Sequence, residues 1–216
     1  MHGANRLGSN SLPNIVVFGR AAAFRVVETL KPGESHATLS KDATDRAIDR
    51  LYRIRWSKGK TGAGTIRLAM QRTMQRHCAV FRDGPLLQEG QSKLDEVVAT
   101  MREDLGISDS SMIFYTDLAE TLELDNMLAQ ATVSLHSAIG RMESRGAHAR
   151  EDFPKRDDTH WLKHTLCWLY DGGRVRLDYR PVHMQPLSNE VASIPPNASI
   201  EARPQQTRRR QREVLI

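Results

Sequence analysis

The sequence predicts a mainly α-helical chain: a bundle of three to four helices, then a small α+β C-terminal part built on a β-hairpin. Two observations carry this. In "DLAETLELDNMLAQATVSLHSAIGRMES" (117–144), Leu124, Leu128, Ala131, Leu135, Ala138 and Met142 recur at intervals of 4, 3, 4, 3 and 4. That is the stripe of a helix packed in a bundle. Near the end, "KHTLCWLY" (163–170), "DGG" and "RVRLDYRPV" (174–182) follow one another. Val175, Leu177 and Tyr179 alternate there with Arg174, Arg176, Asp178 and Arg180, the period of a half-buried strand.

The remaining elements follow in order. Residues 13–30 read as a helix, with Pro13 in the first turn, where its missing N–H costs nothing. Val16, Val17, Ala21, Phe24, Val27 and Leu30 give it a broad apolar face. "KPGESHATLSKD" (31–42) is a polar linker and a domain boundary by composition. Three further helices are expected. Residues 43–60 place Ala47, Leu51 and Ile54 on one face, and residues 64–81 place Ile66, Met70, Thr73 and His77. Residues 85–106 repeat Leu87, Leu94, Val98, Met101 and Leu105. Short loops predict antiparallel neighbours. From Met184 onward the Pro-rich, polar stretch offers no packed pattern.

Charge and cysteine content narrow the function classes. The chain of 216 residues carries a formal +5, of which +4 sits in "RPQQTRRRQREVLI" (203–216). The nearly neutral body does not read as a nucleic-acid binder, and the arginine run reads as a solvated tail. Cys78 and Cys167 match no CxxC or zinc spacing, so they read as reduced thiols rather than a disulfide framework. No segment approaches the ~18 continuous apolar residues of a membrane-spanning helix, and residues 1–20 lack the pattern of a secretory signal.

Among short motifs, "KGKTGAG" (58–64) has its Lys-Thr before the glycines, the reverse of a phosphate loop, and reads as an interhelix loop. His160 and His164 are spaced like some metal ligands, but no third ligand accompanies them and no metal is expected. Two stretches carry more. "GANRLGSNSL" (3–12) joins a glycine-rich turn to a helix start. Unpaired N–H groups and the positive dipole end lie there, and Arg6 adds a planar fork suited to carboxylate or phosphate. The chemistry points to an anion or a polarised carbonyl; the alternative is an arginine that caps a turn. "RGAHAREDFPKRDD" (145–158) interleaves Arg145, Arg150, Lys155 and Arg156 with Glu151, Asp152, Asp157 and Asp158. It is either a solvated charged loop or an ordered ion-pair network at a domain or subunit interface.

With these stretches, "AMQRTMQRHCAVFR", "ETLELDNMLAQA" and "THWLKHTLCW…YRPVH", the sequence resembles the C-terminal part of the succinate dehydrogenase and fumarate reductase flavoprotein subunits, from His2 to about Pro196. The charged run looks like succinate dehydrogenase and its quinol-linked relatives rather than the related L-aspartate oxidase. The resemblance implies FAD as cofactor and oxidation of succinate to fumarate, with hydride transfer to the flavin. Electrons would then pass to an iron–sulfur subunit and on to quinone. It implies substrate-carboxylate binding by Arg6 and backbone N–H contacts from Ser11 and Leu12 to the flavin ring. Iron–sulfur and membrane-anchor subunits are the implied partners, and nucleic acid is not one. The implied location is peripheral, on the cytoplasmic face of a bacterial inner membrane or the mitochondrial matrix face.

The departures shape the remaining expectations. No GxGxxG fingerprint occurs here, and the family's flavin-linking histidine and catalytic arginine belong to its upstream part, so no catalytic residue is expected in this chain. Pro13 stands where the family usually has leucine or a similar residue, and the tail 201–216 is foreign to the pattern. The expected division is 1–33, the end of an FAD-binding α/β domain; 34–42, a linker; 43–146, the helical bundle; 147–200, the small C-terminal domain; and 201–216, a disordered tail. The expected chain is a truncated piece, inactive alone. The alternative is a non-catalytic assembly module that docks on another respiratory-complex subunit.

Overall fold

The computed structural model describes residues 11–109, 111, 113 and 115–184. In chain order they form α1 (Ser11–Thr29), α2 (Ala43–Arg55), β1 (Thr61–Gly62), α3 (Ala63–His77), α4 (Gly84–Glu103), β2 (Leu105–Gly106), α5 (Thr116–Gly140), α6 (Asp158–Trp161), β3 (Lys163–Leu169) and β4 (Val175–Pro181). A short 3-10 turn, Asp171–Gly173, joins the last two. The chain is mainly helical, with one small antiparallel hairpin, as the periodicities predict.

The core is where α3, α4 and α5 meet, with α2 laid against α5. The stripe on α5 contributes buried Leu124, Leu128, Ala131, Leu135 and Ala138, and Leu118 extends it toward the N-terminus. Facing it are Ile66 and Met70 of α3 and Leu87, Leu94 and Met101 of α4. Each fully buried aliphatic side chain contributes about 1.5–3 kcal/mol relative to exposure. Thr121 and Thr132 are buried too, and their hydroxyls donate to the Asp117 and Leu128 carbonyls of the same helix, so neither hydroxyl is stranded. α4 starts sharply because the Asp83 carboxylate accepts the Leu86 N–H at 2.9 Å, an N-cap with proline in the first turn.

α3 ends at His77 rather than 81 and α4 at Glu103 rather than 106, and three further details differ from the sequence reading. α2 stops at Arg55 rather than running to 60, and Ala47 is exposed, so Ile54 is the one residue of that helix fully buried. α5 stops at Gly140, and Met142, the last member of the predicted stripe, lies beyond it and is 51% exposed. The chain turns extended at Arg141, which ends the 3.6-residue period. Third, "KGKTGAG" contains a short strand. Thr61–Gly62 pairs in parallel with Leu105–Gly106, and the Gly59 N–H donates to the Leu105 carbonyl at 2.7 Å. A Cβ on Gly59 would sit 2.1 Å from the Asp104 backbone, so this glycine serves backbone packing.

The hairpin β3–β4 pairs Lys163 with Pro181 through to Leu169 with Val175. Gly172 and Gly173 take φ of 82° and 87° at its turn, as a tight reversal requires. β3 and β4 both pack on α5. By contrast α1 buries none of its residues. Among the described residues, no helix is long and apolar enough to cross a membrane. The tail 201–216 and Arg6 lie outside the described residues.

Candidate functional site

The segment after α5 becomes an ordered ion-pair clasp. Glu143 is completely buried, and four donors converge on it. Its Oε1 accepts from Arg141 Nε at 2.9 Å and Arg145 Nε at 2.8 Å. Its Oε2 accepts from Arg145 Nη2 at 3.0 Å and the Asp157 N–H at 2.9 Å. The chain bends at Glu143, and the side chains of Arg141 and Arg145 on either side converge on it. Arg141 also donates to the Trp161 and Lys163 carbonyls and to Thr165 Oγ1. One guanidinium thus ties the end of α5 to the first residues of β3.

A second pair closes the other side. Arg150, 4% exposed, grips Asp152 with two parallel bonds of 2.7 and 2.6 Å. Its Nη1 donates to the Ala138 and Ile139 carbonyls, which lie in the last turn of α5 and lack helical partners there. The positive charge also suits that end of the dipole. Asp152 accepts the Gly84 N–H at 2.9 Å, the mirror-image arrangement at the positive start of α4. One ion pair therefore caps two helices at once. Asp158 pairs with Arg145 at 2.6 Å and with Arg156. Asp157 caps α6 through the Thr159 and His160 N–H groups.

The electrostatics fix protonation. Burial pushes the Glu143 carboxyl up, but the hydrogen bonds from Arg145, Asp157 and Arg141 outweigh it and hold it below the usual range. The Arg150 guanidinium, aided by the Gly84 N–H, holds Asp152 down to about 2. Asp158 is held well below the carboxylate range by Arg156 and Arg145. His148, whose Nε2 meets the Arg141 carbonyl at 2.9 Å, is shifted down by burial and by the positive charges of Arg82, Arg150 and Arg141. Near neutral pH the carboxylates stay ionised, so the clasp is a positioning device rather than a proton-transfer site.

The structure thus resolves the alternative left by "RGAHAREDFPKRDD" in favour of the ordered network, which lies within this chain between the bundle and the hairpin. It draws in Arg145, Arg150, Asp152, Arg156, Asp157 and Asp158. It also uses Arg141, Glu143 and His148, which the composition of the charged run does not single out. The signal for them was the Arg-x-Glu-x-Arg alternation just outside a helical stripe. His160 and His164 fall in different elements; His160 Nδ1 meets the Asp157 carboxylate at 2.8 Å. Cys78 and Cys167 are unlinked thiols.

Of the residues assigned to a ligand loop, Ser11 and Leu12 form the first turn of α1, Ser11 half-buried and Leu12 exposed. That turn holds the positive end of the helix dipole. Arg6 lies outside the described residues, so of the three only Ser11 and Leu12 are placed.

A helical bundle sealed at one end by an arginine–carboxylate clasp and a hairpin defines a C-terminal segment of a larger class of proteins. The sequence model of the family described as "Fumarate reductase flavoprotein C-term" matches residues 67–201. The chain is 49% identical over 196 residues to the succinate dehydrogenase flavoprotein subunit of Rickettsia bellii, covering 91% of this chain and 33% of that protein. It is 52% identical over 200 residues to the mitochondrial succinate dehydrogenase [ubiquinone] flavoprotein subunit of Oryza sativa, covering 93% and 31%. Its fold matches FrdA of E. coli quinol fumarate reductase with a TM-score of 0.77 and 36% identity, over 91% of this chain and 33% of that one. The chain belongs to the succinate dehydrogenase and fumarate reductase flavoprotein family, within its C-terminal region. It spans about a third of the length of the curated relatives it matches.

Proposed function

We propose that this chain supplies the C-terminal third of a succinate dehydrogenase flavoprotein subunit, in an enzyme that oxidises succinate to fumarate. The observation that carries this reading is the agreement of both sequence and fold with such subunits across the bundle, the clasp and the hairpin. Arg6 is assigned to a substrate carboxylate, which its planar fork suits. The backbone N–H groups of Ser11 and Leu12 are assigned to the edge of FAD. The residues present fit that group: the first turn of a 19-residue helix directs N–H dipoles and a partial positive charge at whatever lies beyond it. Pro13 stands in the same turn without an N–H, which leaves the assigned donors in place. When bound, FAD supplies hydride acceptance. The partners proposed are an iron–sulfur subunit and membrane-anchor subunits, which would hold the protein at a membrane surface.

The proposed division remains 1–33, 34–42, 43–146, 147–200 and 201–216. In it α1 belongs with a flavin-binding portion rather than with the bundle. The exposed apolar surface of α1 also favours a second reading, in which the chain docks on another respiratory-complex subunit without turning over substrate. One experiment separates them. The first two-thirds of the R. bellii relative is joined to this chain at His2, and succinate-dependent dye reduction is measured. The first reading expects activity and a flavin absorption band. It also expects Arg6→Ala to lower kcat/KM at least about a hundredfold, mostly through KM. Full flavin occupancy without turnover favours the second. The 216-residue chain alone, given FAD and succinate, is expected to be inactive.

A further inference from the structure

An open groove of about 670 Å³ runs between the C-terminal half of α5 and the start of β3. Its charged wall residues are all basic: Arg82, Arg141, Arg145 and Lys163, with His148 and His164 beside them. Glu143, which balances Arg141 and Arg145, is buried behind that wall. Among the described residues, two of these cations have no carboxylate partner. The Lys163 ammonium sits over the rings of Trp161 and Tyr179, 4.8 and 4.2 Å from their centroids. Arg82 spends two nitrogens on the Ala147 carbonyl and the Cys78 sulfur, and its Nε is buried with no partner among the described residues. Much of the remaining lining is apolar, including Ala138, Leu162 and Val182.

An unpartnered buried donor is costly, and two uncompensated cations over a low-dielectric surface focus a positive potential. An apolar floor beneath them adds a preference for a ligand with hydrocarbon of its own. We propose that this groove binds a small organic carboxylate, its carboxylate between Arg82 and Lys163 and its apolar body against Leu162 and Val182. The groove uses none of Arg6, Ser11 or Leu12, so its binding stands or falls apart from the flavin-edge reading.

The test is an NMR titration of the full chain with benzoate, following the Arg82 Nε–H and Lys163 side-chain signals, with inorganic phosphate as the second probe. Saturable shifts at both side chains are expected, with benzoate binding tighter than phosphate. Lys163→Met and Arg82→Met are each expected to weaken benzoate about tenfold or more. Arg176→Met removes a cation stacked on Trp168 and is expected to leave binding unchanged. Lys163 has no salt bridge to lose among the described residues, so its variant stays informative if Arg82→Met unfolds. No saturable shift, parental affinity in a folded Lys163→Met chain, or phosphate binding as tightly as benzoate would each overturn the proposal.

Discussion

α1 and α5 are both long and rich in apolar residues, yet they are opposites. α5 buries eight of its residues, and their spacing points them to one side. α1 buries none, and Leu12, Ile15, Val16, Val17, Phe18, Phe24, Val26 and Val27 stand exposed. α5 packs against α2, α3, α4 and both strands of the hairpin. α1 carries a broad apolar face, with Asn14, Arg25 and Glu28 grouped on the other side, the pattern of a helix that packs on one side. The difference separates a part whose packing the described residues complete from a part whose packing they do not.

The sharpest way to break that contrast is at the clasp, which seals the bundle. Glu143→Ala leaves Arg141 and Arg145 without their shared carboxylate and frees the Asp157 N–H. Removing one partner of a buried ion pair costs about 3–5 kcal/mol, to be read from the urea midpoint. A cost under about 1 kcal/mol, the value of an exposed pair, would mean that the clasp is surface decoration. Leu135→Ala, at a position with no exposure, comes next at about 2–5 kcal/mol.

Acid titration tests the same region without mutation. Asp152 ionises at about 2 in the folded chain, against 3.8 as its ordinary value. Its contribution is therefore fully present above about pH 4 and fades as pH falls toward 2. A shift of that size corresponds to at most about 2 kcal/mol. Glu143 and Asp158 are also held down, so they lose stability in the same direction. Asp152→Asn is expected to flatten the loss between pH 4 and 2, followed by circular dichroism in urea. Asp83→Ala, which removes the cap on α4, is smaller at about 1 kcal/mol.

Much of this was legible in the sequence, for a physical reason. The helices of the bundle and the hairpin are set by local periodicity, and five of the six residues of the predicted stripe are buried. What periodicity cannot report is where it stops: Met142 continues the arithmetic of the stripe after the backbone has turned extended at Arg141. The clasp was half legible. Its charge density was evident, but its centre, Glu143, gains meaning only when residues 141, 145 and 157 meet it in space. Gly59 was visible as a glycine and misleading as a motif, because the atom that excludes a side chain belongs to Asp104, far along the chain. The proposed flavin edge is legible only by resemblance, since the first turn of α1 offers donors while Arg6 lies outside the described residues.

The smallest effect is the most discriminating. Val17→Ser and Val27→Ser lie on α1, where nothing is buried, so in this chain each is expected to change stability by less than about 0.5 kcal/mol. Helix propensity predicts little more, since serine and valine rank close together. In the chimera carrying the upstream two-thirds of the R. bellii relative, the same substitutions would remove apolar contact from a helix packed on its apolar side. There they are expected to cost about 1–3 kcal/mol each, read as a fall in thermal midpoint. A cost that stays below 0.5 kcal/mol in both settings would show that α1 remains open to solvent even in the longer protein. A large cost in this chain alone would mean that α1 packs on the bundle, and the contrast between α1 and α5 would be lost.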